Sequence, residues 1–130
     1  MPATIPHILV IDDNEAILES VAMVLRWNAL RVSTCNRTDD FSGEVNMIHP
    51  DLILMDKALG WADGCDLCAE LKMDATMQHI HVIMLSAFHN VREKCLSAGA
   101  DAFLEKPFDL NELLKLVYSF TGTGACFAGL

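Results

Sequence analysis

"DLILMDKALGWADG", residues 51–64, decides how this chain is read. Leu52 to Met55 is an unbroken apolar run, and a strand with one wet face would alternate instead. The run therefore reads as a strand buried on both faces. It ends in a carboxylate, Asp56, followed by a turn containing Gly60. A charge at the end of a buried strand costs solvation free energy unless something binds it. The rest of the sequence has to supply that partner.

Similar runs recur outward from this one. "HILVI" (7–11) is a strand, and "NEAILESVAMVLRW" (14–27) is a helix with Ile17, Val21, Val24 and Leu25 at helical spacing. "LRVSTC" (30–35) is a second strand. "TDDFSGEVNMI" (38–48) is a poor helix because Gly43 lies inside it. "CDLCAELKM" (65–73) is a helix and "HVIML" (81–85) the fourth strand. "VREKCLSA" (91–98) is a helix stopped by Gly99, "AFL" (102–104) a short fifth strand. "LNELLKLVYSF" (110–120) is the last helix, with Asp109 and Glu112 at capping-box positions. Five apolar strands alternating with helices predict an α/β fold. The sheet is parallel and doubly wound, in the order 2-1-3-4-5, with helices on both faces.

Composition narrows the function. A chain of 130 residues fits one domain, with a core at about 7–120, and 52% hydrophobic content excludes disorder. The net charge of −9 disfavours direct nucleic-acid binding. No apolar run reaches the roughly 18 residues of a membrane span. "MPATIPHILV" has no basic segment before its apolar run, so no signal peptide is expected. Five cysteines without framework spacing fit reduced thiols in a cytoplasm.

In a doubly wound sheet the chemistry sits at the carboxyl ends of the strands. Asp12 and Asp13 follow strand one, Asp56 ends strand three, Ser86 follows strand four, and Lys106 and Pro107 lie just past strand five. Each has a plainer reading. Asp13 is a helix cap, Asp56 a turn residue, Ser86 a loop hydroxyl bonded to backbone, and Lys106 a solvated lysine. Their convergence argues otherwise. Clustered carboxylates repel and call for a hard divalent cation such as Mg²⁺. With the charge balanced, one carboxylate can attack a phosphoryl group.

"VIDDNEA", "LILMDKALGWADG", "IMLSA" and "GADAFLEKPF" resemble, in order, the signature segments of response-regulator receiver domains of two-component signalling. The resemblance runs from about residue 7 to 120. It implies that Asp56 accepts phosphate from a histidine kinase or a histidine phosphotransfer protein. It implies Mg²⁺, or Mn²⁺ in its place, on Asp13, Asp56 and the backbone carbonyl of Ala58, with Asp12 acting through a water. Ser86 matches the switch hydroxyl, Phe103 the aromatic switch and Lys106 the phosphate-binding lysine. The Lys106–Pro107 bond matches one that is usually cis. Ala58 and Phe88 match the positions that flank the path of the hydrolytic water and tune phosphate lifetime. Output is expected through the face of the fourth helix, fifth strand and fifth helix, to a partner or an attached domain. Gly60 and Trp61 depart from the usual turn, and the stretch from Ser86 to Lys106 is two residues shorter than common.

Other classes fit less well. An aspartyl phosphatase wants a general-acid Asp two residues after its nucleophile, where this chain has Ala58. A flavin carrier needs a hydroxyl-rich phosphate loop after strand one, which "DDNEA" is not. A degenerate receiver that only binds partners would not need the full acid set. "CDLC", Cys65 and Cys68, reads as helix packing rather than redox or zinc chemistry. His79 and His81 stand away from the cleft. Trp27 is expected in the core, Trp61 is a lid, a partner contact or a packed loop residue, and "TGTGACFAGL" (121–130) is expected to be a flexible end or the start of a linker.

Overall fold

The computed structural model describes residues 5–122. Five parallel strands form one sheet: β1 (His7–Ile11), β2 (Arg31–Cys35), β3 (Leu52–Asp56), β4 (His81–Ser86) and β5 (Ala102–Glu105). Their spatial order is β2-β1-β3-β4-β5, the order expected from the sequence. Every residue of β3 is buried, as its unbroken apolar run requires. The register sets Asp56 beside Leu85 and Ser86 beside Glu105, so the strand ends finish level with one another.

The helices are α1 (Glu15–Trp27), α2 (Phe41–Ile48), α3 (Gly64–Met73), α4 (Arg92–Ser97) and α5 (Leu110–Thr121). Two apolar layers enclose the sheet. Ile8, Val10, Leu52, Leu54, Ile83 and Leu85 pack with Leu18, Val21 and Leu25 of α1 and with Leu113 and Val117 of α5. Leu9, Ile11, Ile53, Met55, Val82 and Met84 face Val45 of α2, Cys68 and Leu71 of α3, and Cys95 of α4. Alternate residues of each strand thus serve opposite layers, which is the period of two.

Several local readings shift. The buried face of α1 is Leu18, Val21, Ala22 and Leu25, one position on from Ile17 and Val24 at two places. Trp27 is not core: it stands 76% exposed at the end of α1, because Leu25 already fills the inward position of that last turn. The doubtful second helix forms despite Gly43, and the glycine is what lets it start. The Asp40 side chain caps the Gly43 amide at 3.1 Å, and a Cβ on residue 43 would overlap that carboxylate. The segment before α4 is a 3₁₀ turn, His89–Val91. The Asp109–Glu112 capping box is present on α5. Residues 123–130, most of the segment read as a flexible end, lie outside the described residues.

Candidate functional site

The level strand ends gather the acidic residues. Asp12 continues β1 by one bond, its amide donating to the Cys35 carbonyl at 3.3 Å. Its side chain is almost wholly buried and fully engaged. The Asn14 amide donates to Oδ1 at 2.9 Å and the Lys106 ammonium to Oδ2 at 3.0 Å. The cap of α1 is Asn14, whose Oδ1 accepts from the amides of Ala16 and Ile17. Asp13 is therefore free of the capping role that its position allowed. It turns instead to the loop after β3, where Oδ2 accepts the Gly60 amide at 3.0 Å.

Asp56 closes β3 with its carboxylate at the cleft, and Lys106 Nζ lies 3.6 Å from Oδ1. Burial raises its carboxyl above the ordinary carboxylate range. The Lys106 charge opposes that rise, Asp12 and Asp13 add to it, and the Ala58 amide works against it. Asp12, Asp13 and Asp56 each bring one oxygen into a group no more than 4.8 Å across.

The hydroxyl of Ser86 accepts the Phe88 amide at 3.0 Å, and its carbonyl accepts the Lys106 amide at 2.7 Å. Phe103 lies on β5 opposite Met84, half-buried against the layer that carries α4. The Lys106–Pro107 bond is cis. Ala58 is exposed, and the Phe88 ring stands 59% exposed. His79 and His81 are at the opposite end of the sheet, where β4 begins.

The loop after Asp56 is more ordered than its sequence suggests. Ala58–Leu59 and Ala62–Asp63 pair as a small antiparallel ladder with Gly60 and Trp61 at its tip. Trp61 Nε1 donates to the Asn36 carbonyl at 2.9 Å, and the Asn36 side chain donates to Glu15 at 3.0 Å. Trp61 is thus a packed loop residue tied to the end of β2. At the base of the ladder Lys57 and Asp63 form a 2.9 Å ion pair. Neither this pair nor the Gly60–Asp13 bond was foreseen. A backbone donor carries no residue signal, and the Lys57–Asp63 spacing becomes a contact only once the ladder forms.

The donor set fits a hard divalent ion. All three side-chain donors are carboxylate oxygens, the ligands that Mg²⁺ prefers. Lys106 supplies one positive charge for three carboxylates and leaves the group underbalanced. Among the described residues this is the cluster with metal-binding spacing.

The response regulator receiver domain family matches residues 8–118, and the chain belongs to it. The transcriptional regulator RpaA of Synechocystis, described as DNA-binding, is 35% identical over 116 residues. That covers 86% of this chain and 47% of RpaA. The response regulator MprA of Mycobacterium leprae is 34% identical over 113 residues, 85% of this chain and 49% of that protein. The chain spans about half the length of these curated relatives.

Among solved structures, the BeF₃-activated receiver domain of DrrB from Thermotoga maritima matches with TM-score 0.79 at 28% identity. It covers 90% of this chain and 97% of that one. The receiver domain of the sensor histidine kinase PA1611 from Pseudomonas aeruginosa, solved with magnesium in its cleft, gives 0.81 at 27% identity, with 92% and 99% coverage. The chain is therefore a receiver domain, the phosphoacceptor module of two-component signalling. Receiver domains bind Mg²⁺. Among the described residues, no helix is long and apolar enough to cross a membrane.

Proposed function

We propose that Asp56 is the phosphoacceptor and that residues 1–130 act as one receiver domain, in the cytoplasm, for a phosphohistidine donor. The donor is a histidine kinase or a histidine phosphotransfer protein. One observation carries the choice of Asp56: of the two buried acids in the cluster, it is the one that Lys106 does not hold in a close ion pair. Asp12 holds the Asn14 amide and Lys106, and Asp13 holds the Gly60 amide, all at about hydrogen-bond distance. Asp56 has only the longer 3.6 Å approach of Lys106 and the Ala58 amide on its oxygens. A half-compensated carboxylate whose burial raises its pKa is the better nucleophile.

In the transfer, an Asp56 oxygen attacks phosphorus as the phosphorus–nitrogen bond of the donor breaks. The bonding pair leaves with the imidazole nitrogen. Lys106 is close enough to follow the charge onto a phosphoryl oxygen, and the Ser86 hydroxyl is the donor for another. Mg²⁺, or Mn²⁺ on the same oxygens, would be held by Asp13, Asp56 and the Ala58 carbonyl, with Asp12 through a water, and would neutralise charge on the transferring group. The phosphoryl group adds about −1.5 to −2 charges and shifts an existing equilibrium, with Ser86 and Phe103 moving together toward α4 and β5. The proteins that α4 and β5 then address are a partner or an attached domain.

Incubation with Mg²⁺ and acetyl phosphate should add a single phosphoryl group, read by intact mass. Asp56→Asn should not gain it. Full labelling of that variant would refute the assignment.

A further inference from the structure

The sequence drew attention to Cys65 and Cys68, but the thiol that meets Cys65 comes from the next helix. Cys65 Sγ and Cys95 Sγ lie 3.4 Å apart, one at the start of α3 and the other in the middle of α4. Both are buried, at 3% and 0% exposure, and 30 residues separate them in the chain. From this juxtaposition we infer that Cys65 and Cys95 are an oxidisable dithiol, which a hydroperoxide converts into a disulfide clamping α4 to α3. The sulfurs need to close by about 1.4 Å to reach bonding distance.

The surroundings explain when this happens. Burial pushes the Cys65 thiol up to about 12, reinforced by its contact with Cys95. Burial also raises Cys95. Thiols held in this way are inert while the helix is closed. The weak element is α4: it has six residues, no side-chain cap at its start, and a 3₁₀ turn before it. Such a helix opens locally at low cost. Opening exposes the thiols beside the Lys57–Asp63 ion pair, whose charges couple to both cysteines.

A thiolate then attacks one peroxide oxygen, the oxygen–oxygen bond breaks, and an alcohol or water leaves, giving a sulfenic acid. When α4 recloses, the second thiol is delivered to contact distance. It attacks the sulfenic sulfur and expels water. Two thiols and one peroxide thus give one disulfide, with the two thiol hydrogens ending in the departing water and alcohol. Lys57 directly follows Asp56, and α4 follows the Ser86 loop, so the bond ties together both segments that leave the cleft.

The test uses the reduced full chain and hydrogen peroxide, stopped with an alkylating reagent and mapped by digestion without reductant. A cross-linked peptide pair carrying Cys65 and Cys95, about 2 Da lighter than the two free peptides, is expected. It should vanish in Cys65→Ala and in Cys95→Ala and persist in Cys68→Ala. Preferential linkage through Cys35, Cys68 or Cys126, or recovery of Cys65 and Cys95 as unlinked thiols or over-oxidised acids, would overturn the inference. Amide exchange gives an independent reading on the wild type. Residues 92–98 should exchange at least severalfold more slowly in the oxidised form and recover with reductant. Unchanged exchange would overturn the clamp.

Discussion

Gly64 stands where the end of β3 leaves little room. A Cβ on it would lie 2.6 Å from the Asp56 carbonyl oxygen, 2.8 Å from Met84 Cε and 3.0 Å from Lys57 Cα. Two of those three atoms are backbone and cannot rotate away. Gly64→Ala should therefore displace the end of β3 and cost about 1–3 kcal/mol in urea unfolding, the range for overpacking a tight site. Labelling by acetyl phosphate should slow in the same variant, and a variant as stable and as fast as wild type would contradict the close approach. A second expectation concerns water rather than packing. Loss of an aspartyl phosphate needs a water aligned opposite the aspartyl oxygen, and a side chain that holds it is commonly worth roughly tenfold to a thousandfold. The residues assigned to that task by resemblance are Ala58 and Phe88. Alanine has no polar side-chain group, and the half-exposed Phe88 ring offers none either. Ala58→Asn combined with Phe88→Glu should shorten the phosphate lifetime at least severalfold under saturating Mg²⁺. An equal or longer lifetime would assign control elsewhere, with the Trp61 ladder the first place to look.

Among the elements, the join between α3, β4 and the turn before β5 rests on Asp101. Its carboxylate accepts the Val82 amide at 2.8 Å and the Lys72 ammonium at 3.0 Å, and Lys72 also donates to the Ile80 carbonyl at 2.7 Å. Burial works against ionising Asp101. The Val82 amide and Lys72 outweigh it, so its carboxyl lies below the ordinary 3.8. A depressed native value stabilises the fold above the unfolded value, and that stability is lost as pH falls through the native one. Asp101→Ala should cost about 1.5–3 kcal/mol at neutral pH, the range for hydrogen bonds to a charged group. The gap to wild type should narrow as pH falls below the unfolded value of 3.8 and through the lower native one, where the folded carboxylate takes up its proton. A pH-independent gap would mean that packing, not charge, holds the join. The elements themselves were largely legible from the sequence. Apolar runs bounded by polar residues placed all five strands, and β1 fell within its expected limits. What stayed hidden depended on three-dimensional neighbours. The Cys65–Cys95 contact joins two helices and outranks the visible C-x-x-C spacing. Trp27 projects into solvent although the helical pattern near it is apolar. Asn14 takes the capping role open to Asp13, because Asp12 already accepts the Asn14 amide and fixes that turn. In the cleft, the five polar residues were legible because each follows a strand, while the loop ties to Gly60 and Trp61 were not.

For the molecule as a whole, charge is what folding leaves unresolved. The chain carries a net −9, and the fold concentrates three of its carboxylates within 4.8 Å against one lysine. Packing pays for this arrangement: the acids sit at the rim of a sheet whose central strands β1, β3 and β4 are buried on both sides. A cation that binds the folded cleft and not the open chain should therefore raise stability by mass action. At tenfold its dissociation constant the gain is about 1.4 kcal/mol, which is roughly 3–8 °C in melting temperature for a domain of this size. Mg²⁺ titration followed by thermal unfolding should reveal that rise, and Ca²⁺, with longer bonds and a larger coordination number, should give a smaller one. Asp13→Ala should remove most of it. Asp13 is the exposed acid of the three, and its one hydrogen bond is to the Gly60 amide, so it is the ligand most easily recruited. Lys106→Ala separates the two kinds of cation. Without the ammonium the cluster repels itself more strongly, so that variant should be less stable without metal and gain more from Mg²⁺ than wild type. If Asp13→Ala still responds fully, or if Lys106→Ala responds less than wild type, the ion is held by something other than these three acids.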